Sequence, residues 1–311
     1  MRPERPTEIR IHAPAKVNLV LRVLARRPDG YHDLWSLMQT VSLEDELRVR
    51  VRHDSSEIRL HCDNPQLPVD GRNLVHRAAT AVLQQVGRPF GVDIQLTKRI
   101  PLAAGLGGGS SDAAATIAAL AKLLGLGWSG EEMARLGQTL GSDVPFFFQA
   151  PTALVQGRGE EVVPVTVTGD RWIVLVNPGF PIETRWAYER LSQTRQGVRP
   201  LSEKLLALTR AAVLTWEEVL PLMENDFEAA LDSTHTALGM IKRRLLAYGA
   251  EAALLSGSGA TVFGIFRDEH RAVQAQGSMS QESGLRVYAT RACTGPLSCR
   301  EDSASKPAPV G

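Results

Sequence analysis

One short segment concentrates groups that could handle phosphate: Pro101, Leu102, Ala103, Ala104, Gly105, Leu106, Gly107, Gly108, Gly109, Ser110 and Ser111. Glycine has no Cβ, so backbone N–H groups along this stretch can close around an anion. Alanine-rich sequence follows at once and predicts a helix over Asp112–Leu124. A helix start adds unpaired N–H donors and the positive end of the helix dipole. Ser110 and Ser111 bring hydroxyls suited to a phosphate or a magnesium ion. The segment therefore reads as a polyphosphate cradle. It is not a GxxxxGK[ST] loop, because no lysine follows the glycines. Nor is it GxGxxG: counted from Gly105 or Gly107, the third glycine position holds Ser110 or Asp112. A glycine-rich linker would sit among polar residues rather than between a strand and a helix.

A phosphate cradle needs charged partners. Lys16 and Asn18 are two residues apart in an alternating stretch, Ile9–Val23, so on a strand they point the same way. Alternation alone puts them on a polar, solvated face, opposite Ile9, Ile11, Ala13, Ala15, Val17, Leu19, Leu21 and Val23. The alternative is a pocket, where the lysine steadies charge on a transferring phosphoryl group or an attacking oxygen. Asp143 stands in Gly141-Ser142-Asp143-Val144-Pro145, a turn by composition. Phe146-Phe147-Phe148 follows and could shield that carboxylate, making it a general base. Tyr31 and His32 come after the turn Arg26-Arg27-Pro28-Asp29-Gly30. They are either a surface turn or a ring pair able to stack on and hydrogen-bond a base.

The elements that must hold these groups are mixed. Strands are predicted at Ile9–Val23, Leu47–Val51, Ile58–His61, Val92–Thr97, Leu154–Gln156, Trp172–Val176, Ala252–Leu255, Thr261–Phe266 and Arg286–Thr290. Helices are predicted at Asn73–Val86 with Asn73 as N-cap, from Ser129 with Glu132 completing a capping box, and at Ser233–Tyr248. A tight turn, Ser256-Gly257-Ser258-Gly259, joins two late strands. Two blocks of mixed elements point to an α+β fold of two domains, at residues 1–160 and 161–292, with a loose Ser/Pro-rich tail over 293–311. There is no internal repeat.

Composition narrows the function classes. With 35 Lys+Arg against 34 Asp+Glu in 311 residues, the chain lacks the positive excess that nucleic acids or membrane surfaces require. Cys62, Cys293 and Cys299 form neither a disulfide framework nor a CxxC zinc pair, which suits a reducing cytoplasm. Met1–Arg10 has no apolar core of a signal peptide, and no run of about 18 apolar residues suggests a membrane span. The expected partner is a small molecule, with no nucleic acid and no membrane; monomer and homodimer both remain open.

Four segments together resemble the GHMP kinase superfamily. Pro14-Ala15-Lys16-Val17-Asn18-Leu19 is similar to its first motif. Pro101–Ser111 with Asp112-Ala113-Ala114 is similar to its second, the ATP loop, and Leu255-Ser256-Gly257-Ser258-Gly259 to its third, a glycine turn. Gly141–Phe146 resembles the segment that carries the family's catalytic aspartate. Within the superfamily, Arg26–Leu34 closely resembles the signature of the diphosphocytidyl-methylerythritol kinases. The likeness runs from about Ile9 to Thr290, with Ala25 and Ala103 where glycine is frequent.

The resemblance implies the rest. The fold would pair an N-terminal domain like ribosomal protein S5 domain 2 with a ferredoxin-like C-terminal domain, the active site lying in the cleft between. The activity would be ATP-dependent phosphorylation of a cytidyl sugar alcohol, with Mg²⁺ expected beside ATP and no carboxylate ligand for it named. Lys16 and Asp143 would be the catalytic pair. Asn73, Leu74 and Pro101–Ser111 would hold ATP. Asn18, Tyr31, His32, Thr184 and Tyr188 would bind the acceptor, and Gly257, Ser258 and Gly259 would lie near both. Another GHMP kinase, for homoserine, mevalonate or a sugar, is the alternative, followed by a non-catalytic ligand- or RNA-binding protein on this fold.

Overall fold

The computed structural model describes residues 7–28, 30–88, 90–195, 197–295, 297 and 299–300. Two long strands, β1 (Glu8–Arg26) and β2 (His32–Arg52), form the spine of the first unit. They run antiparallel, with register shifts at Pro14/Ala15, Asn18/Val20 and Val23/Arg26. β3 (Ile58–Cys62), α1 (Leu74–Val86) and β4 (Gly91–Thr97) follow. Then come α2 (Gly108–Leu124), α3 (Gly130–Gln138), the one-turn α4 (Phe146–Gln149), β5 (Thr152–Gly157) and β6 (Glu161–Pro164). β4 pairs with β2 antiparallel and with β3 in parallel, while β5 and β6 extend the sheet from the other half of β2.

The expected caps form. The Asn73 side chain accepts from the Val75 N–H at 2.9 Å, and Ser129 and Glu132 close a reciprocal capping box. The expected division after residue 160 falls inside the β5–β6 hairpin, whose pairing carries the first unit on to Pro164.

The bulge at Pro14/Ala15 decides where β1 aims its side chains. Ile9, Ile11 and Ala13 pack beneath α1 and α2, whereas Ala15, Val17 and Leu19 pack in the core shared with the second unit. A bulge bends a strand and re-aims the side chains beyond the bend. Past it both faces of β1 are buried, and the solvated polar face expected of Lys16 and Asn18 does not exist: they are 3% and 1% exposed. The helix against this sheet has to approach closely, and Ala113, Ala114, Ala115, Ala119 and Ala121 supply a small buried surface with high helix propensity.

The second unit begins with β7 (Thr166–Thr168) and β8 (Trp172–Asn177). α5 (Thr184–Thr194), α6 (Glu203–Leu208), β9 (Val213–Thr215), α7 (Trp216–Val219), β10 (Glu224–Asn225), α8 (Phe227–Leu231) and α9 (Thr236–Ala247) follow. β11 (Ala252–Leu255), β12 (Val262–Phe266), α10 (Glu269–Met279) and β13 (Arg286–Arg291) complete the sheet. Its order is β11-β12-β8-β13, antiparallel throughout. Taken in chain order as a β-α-β-β-α-β unit, that is the ferredoxin-like arrangement the resemblance implies.

Two pieces cross back to the first sheet. β10 pairs in parallel with β1 at Val20 and Leu21, and β14 (Cys299–Arg300) pairs antiparallel with β1 at Arg10 and Ile11. The chain after Cys293 is thus not loose from its start, since the Cys293 N–H also donates to the Thr40 carbonyl at 2.9 Å. The rest of the expected tail, 301–311, lies outside the described residues. Among the described residues no helix is long and apolar enough to cross a membrane.

Candidate functional site

Between the two units lies a cleft of about 700 Å³, within the range of small-molecule sites. The loop from Pro101 to Gly107 and the first turn of α2 form one wall. The helix starts at Gly108, four residues before its expected start, so Ser110 and Ser111 sit in a helical turn rather than a loop. Gly107 precedes it at φ +70° with no side-chain cap. The first N–H groups of α2 therefore have no intrahelical acceptor and remain available to an anion.

Glycine is required at two places here. A Cβ on Gly105 would lie 2.1 Å from the Ser256 carbonyl oxygen, and one on Gly107 would lie 2.9 Å from Lys16 Cγ. The second approach is what lets Lys16 lie under the loop. Its own N–H donates to the Leu106 carbonyl at 2.9 Å.

Lys16 Nζ stands 3.4 Å from Asp143 Oδ2 and donates to Asn18 Oδ1 at 2.8 Å. Asn18 Nδ2 passes a bond on to Ser36 Oγ at 2.9 Å, and Ser36 Oγ donates to the Val20 carbonyl at 2.6 Å. This relay fixes the lysine head without neutralising it. The phenylalanines do not shield Asp143. Phe146 and Phe147 are buried in the core beneath α2, and the Asp143 side chain keeps 32% exposure towards the cleft.

The far wall carries aromatic rings. Tyr188 and Phe227 line the cleft and meet edge to face at 4.9 Å, while His32 stacks with Tyr188, also at 4.9 Å. Burial, and then the nearby Asp143 charge, push the Tyr188 phenol up to about 12, so it stays a neutral donor. Burial first, then Arg26 and Arg195, depress the His32 imidazole below its usual value, favouring the neutral ring. Thr184 Oγ1 and Ser258 Oγ are 3.1 Å apart and join α5 to the glycine turn.

The fold thus brings Lys16, Asn18, Asn73, Leu74, Pro101–Ser110, Asp143, Thr184, Tyr188, Gly257 and Ser258 around one cleft. Four expected residues do not line it. Ser111 is fully buried, Tyr31 is 53% exposed with the Arg158 guanidinium 3.9 Å above its ring, His32 meets the cleft only through its stack with Tyr188, and Gly259 belongs to the turn but not to the cleft lining.

The sequence reading missed a charged cluster on the cleft floor. Lys98 Nζ bonds Asp112 Oδ2 at 2.7 Å and also Asp45 Oδ2. Asp45 Oδ1 in turn accepts from the N–H groups of Arg99 at 2.6 Å and Ile100 at 2.9 Å. The cluster so anchors the strand end that launches the glycine loop. Burial opposes charge on Lys98, but the two carboxylates outweigh it and raise its pKa. Burial pushes the Asp112 carboxyl up to about 8 despite Lys98, and Asp45 adds to the rise. A signal existed: a lysine three residues before the loop and an aspartate in the following helix need partners if buried.

Known proteins resemble the chain over most of its length. Residues 73–150 match the family "GHMP kinases N terminal domain" and residues 207–284 match "GHMP kinases C terminal". A protein of Geobacter metallireducens named 4-diphosphocytidyl-2-C-methyl-D-erythritol kinase is 43% identical, across 91% of this chain and 98% of its own. One of the same name from Syntrophus aciditrophicus is 43% identical across 91% and 99%. A crystal structure of 4-(cytidine 5'-diphospho)-2C-methyl-D-erythritol kinase superposes with TM-score 0.73 at 34% identity, covering 91% of this chain and 99% of its own. Homoserine kinase from Cytophaga hutchinsonii superposes with TM-score 0.74 at 20% identity, covering 96% and 99%, and shares the fold. Identity at the level of the first two, held over nine-tenths of the length, fixes membership: the chain belongs to the 4-diphosphocytidyl-2-C-methyl-D-erythritol kinase family of the GHMP kinases.

Proposed function

We propose that the chain transfers the γ-phosphoryl group of ATP to the 2-hydroxyl of 4-diphosphocytidyl-2-C-methyl-D-erythritol, giving the 2-phosphate and ADP, in the non-mevalonate route to isoprenoids. The observation that carries the reading is the Lys16–Asp143 pair, 3.4 Å apart, directly beside a glycine loop and a helix start that can take a polyphosphate.

Asp143, about one-third exposed and lining the cleft, accepts the proton of the acceptor hydroxyl as its oxygen attacks phosphorus. A general base of this kind contributes roughly 10²–10⁴-fold. Lys16, held by Asn18, meets the negative charge on the attacking oxygen and the transferring group. The bond from the γ-phosphorus to the bridging oxygen breaks, and ADP stays on the N–H groups of the loop. Positioning and charge stabilisation are the protein's main means in phosphoryl transfer.

The adenine side of the cleft is walled by Asn73 and Leu74, and the acceptor side by Tyr188, Phe227 and Thr184. His32, stacked with Tyr188, extends the aromatic group beside the cleft and supports a site for a planar base. Hard oxygen donors suit Mg²⁺, and the buried Ser111 Oγ and Asp112 Oδ1 have no hydrogen-bond partner. With Ser110 they are the groups that would serve the ion, which neutralises charge on the phosphates when bound. The free thiols Cys62 and Cys293 support a cytoplasmic location.

The test is to incubate the purified protein with Mg-ATP and the cytidyl acceptor, beside mevalonate and homoserine, following ADP release and product mass. Turnover of the cytidyl compound alone is expected, and Asp143→Asn should cut kcat by at least about 10²-fold. Phosphorylation of mevalonate or homoserine instead would overturn the acceptor, and normal turnover by Asp143→Asn would overturn the base.

A further inference from the structure

The three residues Asn225, Asp226 and Phe227 touch three parts of the site at once, although none belongs to the motifs read from the sequence. Asn225 is buried, on the two-residue strand β10. Its Nδ2 donates to the carbonyls of Leu255 and Gly257, both at 2.8 Å, and its Oδ1 accepts from the Phe227 N–H at 2.9 Å. Two carbonyls and one N–H leave the amide a single satisfied orientation. The glycine turn it grips bears on the phosphate loop: Ser256 Oγ donates to the Gly105 carbonyl at 2.9 Å, and Thr261 N–H to the Ala104 carbonyl at 3.2 Å.

Asp226 ties the same strand to β1. Its carboxylate takes Arg22 Nε at 3.1 and 3.2 Å and the Val23 N–H at 2.8 Å. Arg22 is itself buried and also holds Glu224 at 3.0 Å. Phe227 then packs on Tyr188 in the acceptor wall. One rigid step of chain is thus braced on the strand of Lys16, the nucleotide loop and the acceptor wall together.

We propose that Asn225 is a positioning residue for phosphoryl transfer, whose amide sets the height of the glycine turn against the phosphate loop and so the distance from the transferring group to Lys16 and Asp143. The inference rests on the kinase reading of the cleft. Asn225 does not reach the reactants itself. It acts through Gly257 and Gly105, and misplacement by about 1 Å of a reacting group can cost on the order of 10²-fold.

Asn225→Asp is the informative change. It keeps the acceptor for the Phe227 N–H but turns an oxygen towards two carbonyl oxygens. In the coupled ADP-release assay with the cytidyl acceptor, kcat should fall roughly 10–100-fold, with the acceptor KM within about twofold because Phe227 and Tyr188 keep their places. Protonation of the introduced acid restores one donor, so the deficit relative to wild type should shrink as pH falls. Leu238→Ala, a core truncation in the same unit away from the cleft, should be destabilised yet keep kcat within about twofold.

Should Asn225→Asp yield no folded protein, Ser256→Ala breaks the same brace one bond further on and must show the same split. Wild-type kcat in Asn225→Asp, or an equal kcat loss in Leu238→Ala, overturns the proposal. Wild-type turnover in the same assay separately tests the kinase reading.

Discussion

Gly105→Ala asks how tightly the two loops of the cleft are set. Gly105 sits at φ +75°, and its added Cβ would lie 2.1 Å from the Ser256 carbonyl oxygen and 3.0 Å from the Gly259 carbonyl oxygen. Both obstacles are backbone, so no side chain can swing aside. The glycine turn must retreat by roughly 1 Å or more, which is the scale that costs about 10²-fold in rate. The left-handed backbone adds about 1–2 kcal/mol, and losing the Ser256 Oγ bond to the Gly105 carbonyl adds about 0.5–1.5 kcal/mol.

Urea unfolding should therefore show a loss of about 1.5–3.5 kcal/mol, and steady-state assays a kcat at least about tenfold down with a raised KM for ATP. Ala103→Gly, two residues earlier, is the matched control. Ala103 holds φ +48° without a glycine's freedom, so the change relieves strain at an exposed position. Stability should hold or rise by up to about 1 kcal/mol. If Gly105→Ala kept wild-type kcat and lost less than about 0.5 kcal/mol, the reasoning from loop contact would be refuted.

Lys98→Met leaves Asp45 and Asp112 buried without their cation and should cost about 3–5 kcal/mol by chemical denaturation; a loss under about 1 kcal/mol would mean the cluster is not tightly paired. Asp112→Asn should act in the opposite direction. Burial holds the folded carboxyl above its free value of 3.8, so wild-type stability should decline as pH rises past about 4, and the amide should remove that decline. Denaturation midpoints that keep the same pH slope in both proteins would count against it. For His32 the shift runs downward from 6.5, so the unfolded chain binds the proton first and stability is lost as pH falls below that value. NMR titration, assigned with His32→Asn, should put its midpoint under 6.5, and a midpoint above would contradict the stacked neutral ring.

Much of this site was legible because its parts are local. The glycine loop is a contiguous segment between a strand and a helix, and Asn73 and Ser129 cap helices through partners two or three residues away. The hidden parts depend on distant chain. Lys16 and Asn18 read as a wetted face because alternation reports two faces but not what covers the second. A bulge at Pro14/Ala15, together with the approach of the other unit, buried both. The first half of β2, from His32 to Thr40, escaped for the related reason that a strand covered on both sides loses its alternation.

Asp45 meets Lys98 across 53 residues, and Asn225 meets Leu255 and Gly257 across 30 and 32. Single polar residues in unremarkable surroundings carry no spacing that announces such partners. Yet these are the groups that hold the loops at working distance. A motif names the atoms that contact substrate, while the brace behind it can be assembled from any polar residue the topology delivers. The fold's crossing of β10 back to β1 delivers Asn225 and Asp226, and so a strand two residues long links the strand of Lys16 to the turn that contacts the glycine loop.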